Sequence, residues 1–314
     1  MIKTSPFKIS YLYPQYWLIW LGTGLLYLLV LLPYPIIYWL GIRLGRLSKF
    51  FLKKRLRIAK RNLELCFPNM NKQKQQKMIN KNFESVGMGL FETAMAWYWP
   101  DKRVRRWFTI KGHNNIEKIQ ITGQGIIVVG IHFLTLELGA RIFGILNPGI
   151  GVYRPNNNPV MNWLQTRGRL RSNKFMLDRK DIKGMIRNLK QGEILWYAPD
   201  HDYGPKKSVF VPFFKVKYTA TTMGTYILTK LANPIMIPFT PRRLANAKGY
   251  ELLIQPAITD FPQKDEISTA IFMNKLIEKK IMQAPDQYMW LHRRFKTRPD
   301  SMPSLYGDLD HIHD

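Results

Sequence analysis

Residues 125–139, GIIVVGIHFLTLELG, decide the reading of the fold. The first half, GIIVVGIH (125–132), is a short apolar run that is rich in β-branched residues and ends on an imidazole. Such runs suit a strand buried on both faces of a parallel sheet. The pattern then restarts at helical spacing and predicts a helix over 136–146. Outward from this unit the alternation repeats. Further strand candidates are GIGVYR (149–154), EILWYAPD (193–200), PIMIPFTP (234–241) and YELLIQP (250–256). Helical stretches are expected over 159–171, 179–190, 219–232 and 266–283. Strand–helix alternation predicts an α/β layered domain with a largely parallel central sheet over 111–306. A loose polar tail is expected over 307–314.

The chain has 314 residues, enough for a core that needs no disulfide or metal. It carries 48 Lys+Arg against 21 Asp+Glu, a formal +27, with 46% hydrophobic and 13% aromatic residues. That apolar content excludes a disordered polycation. Cys66 is the single cysteine, which excludes an internal disulfide framework and a cysteine-based zinc cluster. The balance describes a folded protein with an anionic partner.

No charge falls between Lys8 and Arg43, and this window contains YWLIWLGTGLLYLLVLL (16–32). A membrane-spanning helix needs about 20 mostly apolar residues. Tyr11, Tyr13, Tyr16, Trp17 and Trp20 at one end, and Tyr34, Tyr38 and Trp39 at the other, suit the two membrane interfaces. Residues 1–40 are therefore expected to hold one transmembrane anchor. A buried core helix is the competing assignment. Lys3 and Lys8 precede the run, and nine cations from Arg43 to Arg61 follow it with no acid before Glu64. This bias places the body on the cytoplasmic side of the membrane. Within the helical region 41–110, the stretch 43–61 reads as an amphipathic helix lying on the inner leaflet. A solvated basic face is the alternative.

In open α/β sheets, ligands bind beyond the carboxyl ends of the strands. Those ends carry His132, Tyr153-Arg154, Asp200-His201-Asp202 and Arg242-Arg243. His132 and Glu137 are five positions apart. On one ideal helix they would point about 140° apart. With His132 ending the strand, Glu137 lies in the first helical turns and can reach back to the ring. A carboxylate on one imidazole nitrogen fixes the tautomer and makes the other a better base. A structural histidine fits the same spacing, so the motif alone is weak.

Around it, GIHFLTLELGARIFG, GIGVYRPNNNP, WLQTRGRLRSNKFMLDRKDIKGM, WYAPDHDYGPKKSVFVPFF, PFTPRR and QYMWLHRRFKTRP closely resemble the lipid A biosynthesis lauroyltransferases. These are acyltransferases that act on Kdo2-lipid IVA at Gram-negative inner membranes. The resemblance extends to YWLIWLG, LPYPIIYWLG and NFESVGMGLFETAMAWYWP and covers about residues 12–306. It implies a glycerolipid-acyltransferase-like fold with a His-x4-acid motif, the acid here being Glu137. It also implies transfer of laurate from acyl carrier protein to the hydroxyl of a 3-hydroxyacyl chain, with no cofactor and no acyl-enzyme. His132 is then the base, and Glu137 orients the ring. Arg154, Arg242 and Arg243 are expected on the acceptor's anionic groups, because guanidinium pairs bidentately with phosphate and carboxylate. Arg169, Arg171 and Lys174 are expected on acceptor or carrier, and Asp200 is expected to orient an arginine or loop. For each arginine, a fold-stabilising ion pair is the competing role.

Two other readings remain at this point. Asp200, His201 and Asp202, with His132 or His292, form a possible metal set for a membrane-anchored hydrolase. A paralogous lipid A acyltransferase using another acyl chain is the second. The charge alone also allows a nucleic-acid binder, but no zinc finger, RNA-binding signature or basic zipper occurs, so none is expected.

Overall fold

The computed structural model describes Ile2 and residues 6–309. Lys3 and most of the expected tail lie outside the described residues.

In chain order the helices α1 (Trp17–Leu31), α2 (Tyr34–Phe51), α3 (Lys53–Cys66), α4 (Lys72–Tyr98) and α5 (Asp101–Arg106) come first. The layered part follows as β1 (Phe108–Lys111), α6 (Asn114–Gln120), β2 (Ile126–Val129), α7 (Leu136–Leu146), β3 (Gly149–Tyr153) and α8 (Pro159–Arg169). Next come β4 (Asn173–Asp178), α9 (Ile182–Lys190), β5 (Ile194–Tyr197), β6 (Ser208–Phe213) and β7 (Val216–Thr222). The chain closes with α10 (Gly224–Ala232), β8 (Ile235–Arg243), β9 (Tyr250–Ile254) and α11 (Glu266–Ile281).

One sheet has the order β1-β9-β8-β2-β5-β3-β4, and β6 and β7 form a separate antiparallel hairpin. Strands β8, β2, β5, β3 and β4 run parallel, and β9 pairs antiparallel with β8. The largely parallel sheet is as expected. β2 is buried at every position, which is why its sequence is apolar without alternation. Strands β1, β4, β6 and β7 were not among the sequence candidates. The helix expected from 219 starts at Gly224, because 216–222 complete the hairpin.

The end of α1 and the start of α2 pack into the core. Val30, Tyr34 and Ile37 share a buried cluster with Val128 and Phe239 of the sheet. Trp99 Nε1 donates to the Val30 carbonyl at 2.6 Å. α1 lies side-on: Tyr16, Ile19 and Trp20 pack with Val160 and Trp163 of α8. Trp17, Leu18, Leu21, Leu25, Leu28 and Leu31 stay exposed on the opposite side. The segment Pro14–Leu31 is long and apolar enough to cross a membrane.

α2 crosses α4 backbone to backbone. A Cβ placed on Gly87 would meet the Gly41 carbonyl oxygen at 2.1 Å, so only glycine fits there. The expected single basic helix over 43–61 is broken at Leu52. Its two halves face opposite ways. α2 presents Leu47, Phe50 and Phe51 outward, whereas α3 buries Ile58, Leu63 and Cys66 against the body.

Candidate active site

β2 ends at Val129, and residues 130–135 form the loop that carries the imidazole before α7 starts. This loop lies between two others. On one side Gly130 N continues the ladder to the Tyr197 carbonyl of β5. On the other, Met289 N donates to the His132 carbonyl and Leu134 N to the Gln287 carbonyl. Two buried asparagines hold that second segment. Asn82 of α4 donates to the carbonyls of Asp286 and Tyr288, and Asn62 of α3 to those of Trp290 and His292. The long amino-terminal helices thus position the wall of the site.

The carboxylate on the imidazole is Asp200. His132 Nδ1 lies 2.6 Å from Asp200 Oδ1, and the His132 amide donates to Oδ2 at 2.9 Å. Asp200 is fully buried at the end of the β5 segment. Burial alone would raise its pKa. The charge of His132, the hydrogen bonds from its ring and amide, and His201 override this and hold it well below the carboxylate range. An ionised carboxylate only accepts, so Nδ1 carries a proton in either state of the ring, and the neutral imidazole presents its lone pair at Nε2.

The carboxylate of Glu137 does not sit on the Nδ1 edge of the ring, where it was expected. It sits in the first turn of α7, and its carboxylate is gripped by Arg169 through Nε, at 3.0 and 3.2 Å, and through Nη2. Burial favours the neutral form of Glu137, but the Arg169 guanidinium, helped by Trp97 and His132, keeps its pKa below the ordinary value. His132 remains close enough to feel that charge. The physical reason for the exchange is reach. Asp200 approaches the Nδ1 edge from the neighbouring strand β5, while Glu137 points toward the end of α8.

The other expected residues divide sharply. Arg243 is buried against α4: Nη1 meets Glu92 at 2.7 Å and Nη2 donates to Ser85 Oγ at 2.5 Å. Tyr250 also donates to Glu92, so Arg243 is a structural ion pair and not an acceptor contact. Arg242 pairs with Glu251 across the β8–β9 register at 2.7 Å. Arg171 donates to the carbonyls of Trp97 and Trp99 and so caps α4. Lys174 pairs with Glu193 at 2.6 Å, at the amino ends of β4 and β5, opposite His132. Arg154 follows β3 exposed and makes no ion pair among the described residues.

The possible metal set also resolves. Asp202 accepts from the amides of Gly204 and Thr297, at 2.9 and 2.8 Å, and so serves the backbone. His132, Asp200 and His201 do bring donor atoms within 4.8 Å of one another. However, the two imidazoles are stacked, with ring centroids 3.4 Å apart and planes 14° apart. Lone pairs lie in the ring planes, so stacked rings direct them side by side. They do not converge on a point about 2.0 Å from each nitrogen, as an ion requires.

The sequence profile of the bacterial lipid A biosynthesis acyltransferases matches residues 4–297. The chain is 59% identical to the lipid A biosynthesis lauroyltransferase of Escherichia coli K12, over 98% of this chain and 100% of that one. It belongs to the lipid A biosynthesis acyltransferase family. The palmitoleoyltransferase of the same organism is 50% identical over 98% of this chain and 100% of its own length. The E. coli myristoyltransferase is 27% identical over 93% of this chain and 91% of its own. A 1-acyl-sn-glycerophosphate acyltransferase structure from Thermotoga maritima matches with a TM-score of 0.38 and 15% identity, covering 84% of this chain and 97% of that one. In this acyltransferase the imidazole of the His-x4-Glu motif is His132, and the carboxylate on it comes from the DHD segment. Sequence reasoning placed Asp200 near the site and gave it the wrong neighbour. It missed Asn62, Asn82 and the stacking of His201, because no local spacing records such contacts.

Proposed function

We propose that the enzyme transfers a lauroyl group from acyl carrier protein to the hydroxyl of a 3-hydroxyacyl chain on Kdo2-lipid IVA, with His132 as general base. One observation carries the mechanism. An ionised, fully buried Asp200 holds the Nδ1 edge of a partly exposed imidazole. His132 Nε2 takes the hydroxyl proton. The alkoxide oxygen attacks the thioester carbon, and a C–O bond forms. Collapse of the tetrahedral intermediate breaks the C–S bond, and the leaving thiolate takes the proton back from Nε2. The products are an ester and a free carrier thiol. Asp200 stabilises the imidazolium between the two transfers, a contribution of about 10²–10⁴ in rate for base catalysis as a whole. The amino end of α7 begins four residues past His132 and favours the negative charge that develops there.

Laurate is favoured by the 59% match with a lauroyltransferase, against 50% and 27% for enzymes named for other chains. Arg154 is the exposed cation at the carboxyl end of β3 best placed for an anionic group of the acceptor. We place the enzyme at the bacterial inner membrane, with α1 in the bilayer, the outward face of α2 beside it, and the body on the cytoplasmic side. Exposed Trp17, Leu18, Leu21, Trp39, Phe50 and Phe51, flanked by the cations of 43–61, support this seating.

The test is product analysis by mass spectrometry. Purified enzyme in phospholipid nanodiscs receives Kdo2-lipid IVA and a panel of acyl carrier proteins charged with C12, C14 and C16:1 chains. The expected product gains one lauroyl ester. A preference for C14 or C16:1 removes the chain-length assignment. Acyl transfer by His132→Ala at the normal rate removes the mechanism.

A further inference from the structure

The imidazole of His132 is the end of a column of three. His201 stacks on it at 3.4 Å with planes 14° apart, and His292 stacks on His201 at 4.1 Å and 15°. The three residues come from three different segments: the loop after β2, the loop after β5, and the irregular segment 286–292 clamped by Asn62 and Asn82. His201 Nε2 and His292 Nδ1 are buried without hydrogen-bond partners. Hydrogen bonding at these atoms therefore does not explain why imidazoles stand there, and their shared feature is a flat aromatic face.

With its backbone held, the His132 ring is restrained at Cβ, and a hydrogen bond at Nδ1 leaves it only a tilt about the line between those two atoms. Asp200 fixes Nδ1 of His132 in this way. The direction of Nε2 then depends on what fixes the plane. We propose that His201, backed by His292, is the positioning residue that sets the plane of the His132 imidazole and so aims Nε2 at the acceptor hydroxyl. This rests on His132 being the general base.

The surroundings keep His201 and His292 neutral, as a stacking platform should be. Burial lowers the pKa of both rings, and the neighbouring charge of His132 and Arg294 lowers it further; Asp200 opposes this. His201 ends well below the ordinary histidine value and His292 at about 4. Arg294 stands behind them, 3% exposed, with Nη1 on the Ala220 carbonyl at 2.6 Å and the guanidinium 5.1 Å from the Phe213 ring. A proton taken by His132 therefore has no neighbouring ring to move to, and it is retained for the leaving thiolate.

The experiment compares His201→Ala, His201→Phe and His132→Ala in nanodiscs, with kcat and both KM values measured and folding checked by thermal melting. His201→Ala is expected to lower kcat about 10²-fold, the cost typical of a misaimed reacting group, with both KM values unchanged. His201→Phe, which restores a flat face, is expected to recover kcat to within about tenfold of the wild type. Wild-type kcat in His201→Ala overturns the proposal, as does a loss in His201→Phe equal to that in His201→Ala. If His201→Ala fails to fold, His292→Phe replaces it under the same measurements. Its kcat should stay within about tenfold of the wild type, and a larger loss overturns the proposal. An active His132→Ala brings down the base assignment itself. An inactive His132→Ala beside a normal His201→Ala brings down only the positioning role.

Discussion

The ends of β5 and β8 both deliver a charged cluster above the sheet, Asp200-His201-Asp202 at one and Arg242-Arg243 at the other. They look alike in sequence and do opposite things. At the β8 end every cation is matched within the protein: Arg243 by Glu92 and Arg242 by Glu251. At the β5 end the buried charge of Asp200 is matched by only one edge of His132, and the other edge stays open. A polar residue at a strand end marks a site when its pairing leaves a reactive atom over. Complete pairing marks structure.

Substitutions test this contrast, beginning with the largest effect. His132→Ala and Asp200→Asn should each lower kcat about 10²–10⁴-fold with the fold intact, the second because an amide no longer secures the Nδ1–H tautomer. A normal rate in Asp200→Asn would put the two strand ends on the same footing. Arg243→Ala should cost about 3–5 kcal/mol of stability, since it strands Glu92 in the core. Thermal melting measures this, and the folded fraction should keep its specific activity. Inactivity at an unchanged melting temperature would make the β8 end a site after all.

The histidine column sharpens the contrast through pH. The unfolded His292 binds a proton below about 6.5, and the folded one only below about 4, so stability is lost as pH falls across that window. The loss is about 3 kcal/mol by pH 4 and should shrink in His292→Phe, read from melting curves over that range. Glu137→Ala and Arg169→Ala should each lower the rate about 10²-fold, and the double variant no further, because the two form one pair beside His132. Additive losses in the cycle would separate them. The smallest change is Arg242→Ala, about 1 kcal/mol or less in denaturant titration, for a half-exposed cross-strand pair.

The contrast also explains what could be read from sequence. The strand–turn–helix unit around His132, the helices over 136–146 and 266–281, and the parallel sheet were legible because each rests on local periodicity. β4 was not, because NKFMLD has only three consecutive apolar residues between charges. The β6–β7 hairpin was hidden by Pro212 and by a threonine run that merged with α10. The site was legible in its histidine and not in its partner. Glu137 is close in the chain, whereas Asp200 arrives from 68 residues away by way of a neighbouring strand. The 43–61 stretch was misread for a related reason. One amphipathic pattern was divided at Leu52 between an outward and an inward face, and only tertiary packing reveals the division.

The clamp of Asn62 and Asn82 on residues 286–292 ties one wall of the site to α3 and α4. Gln287 and Met289, held in that segment, bond the loop that carries His132. Any tilt of those two helices is therefore transmitted to the imidazole through backbone, without a side chain of the site having to move.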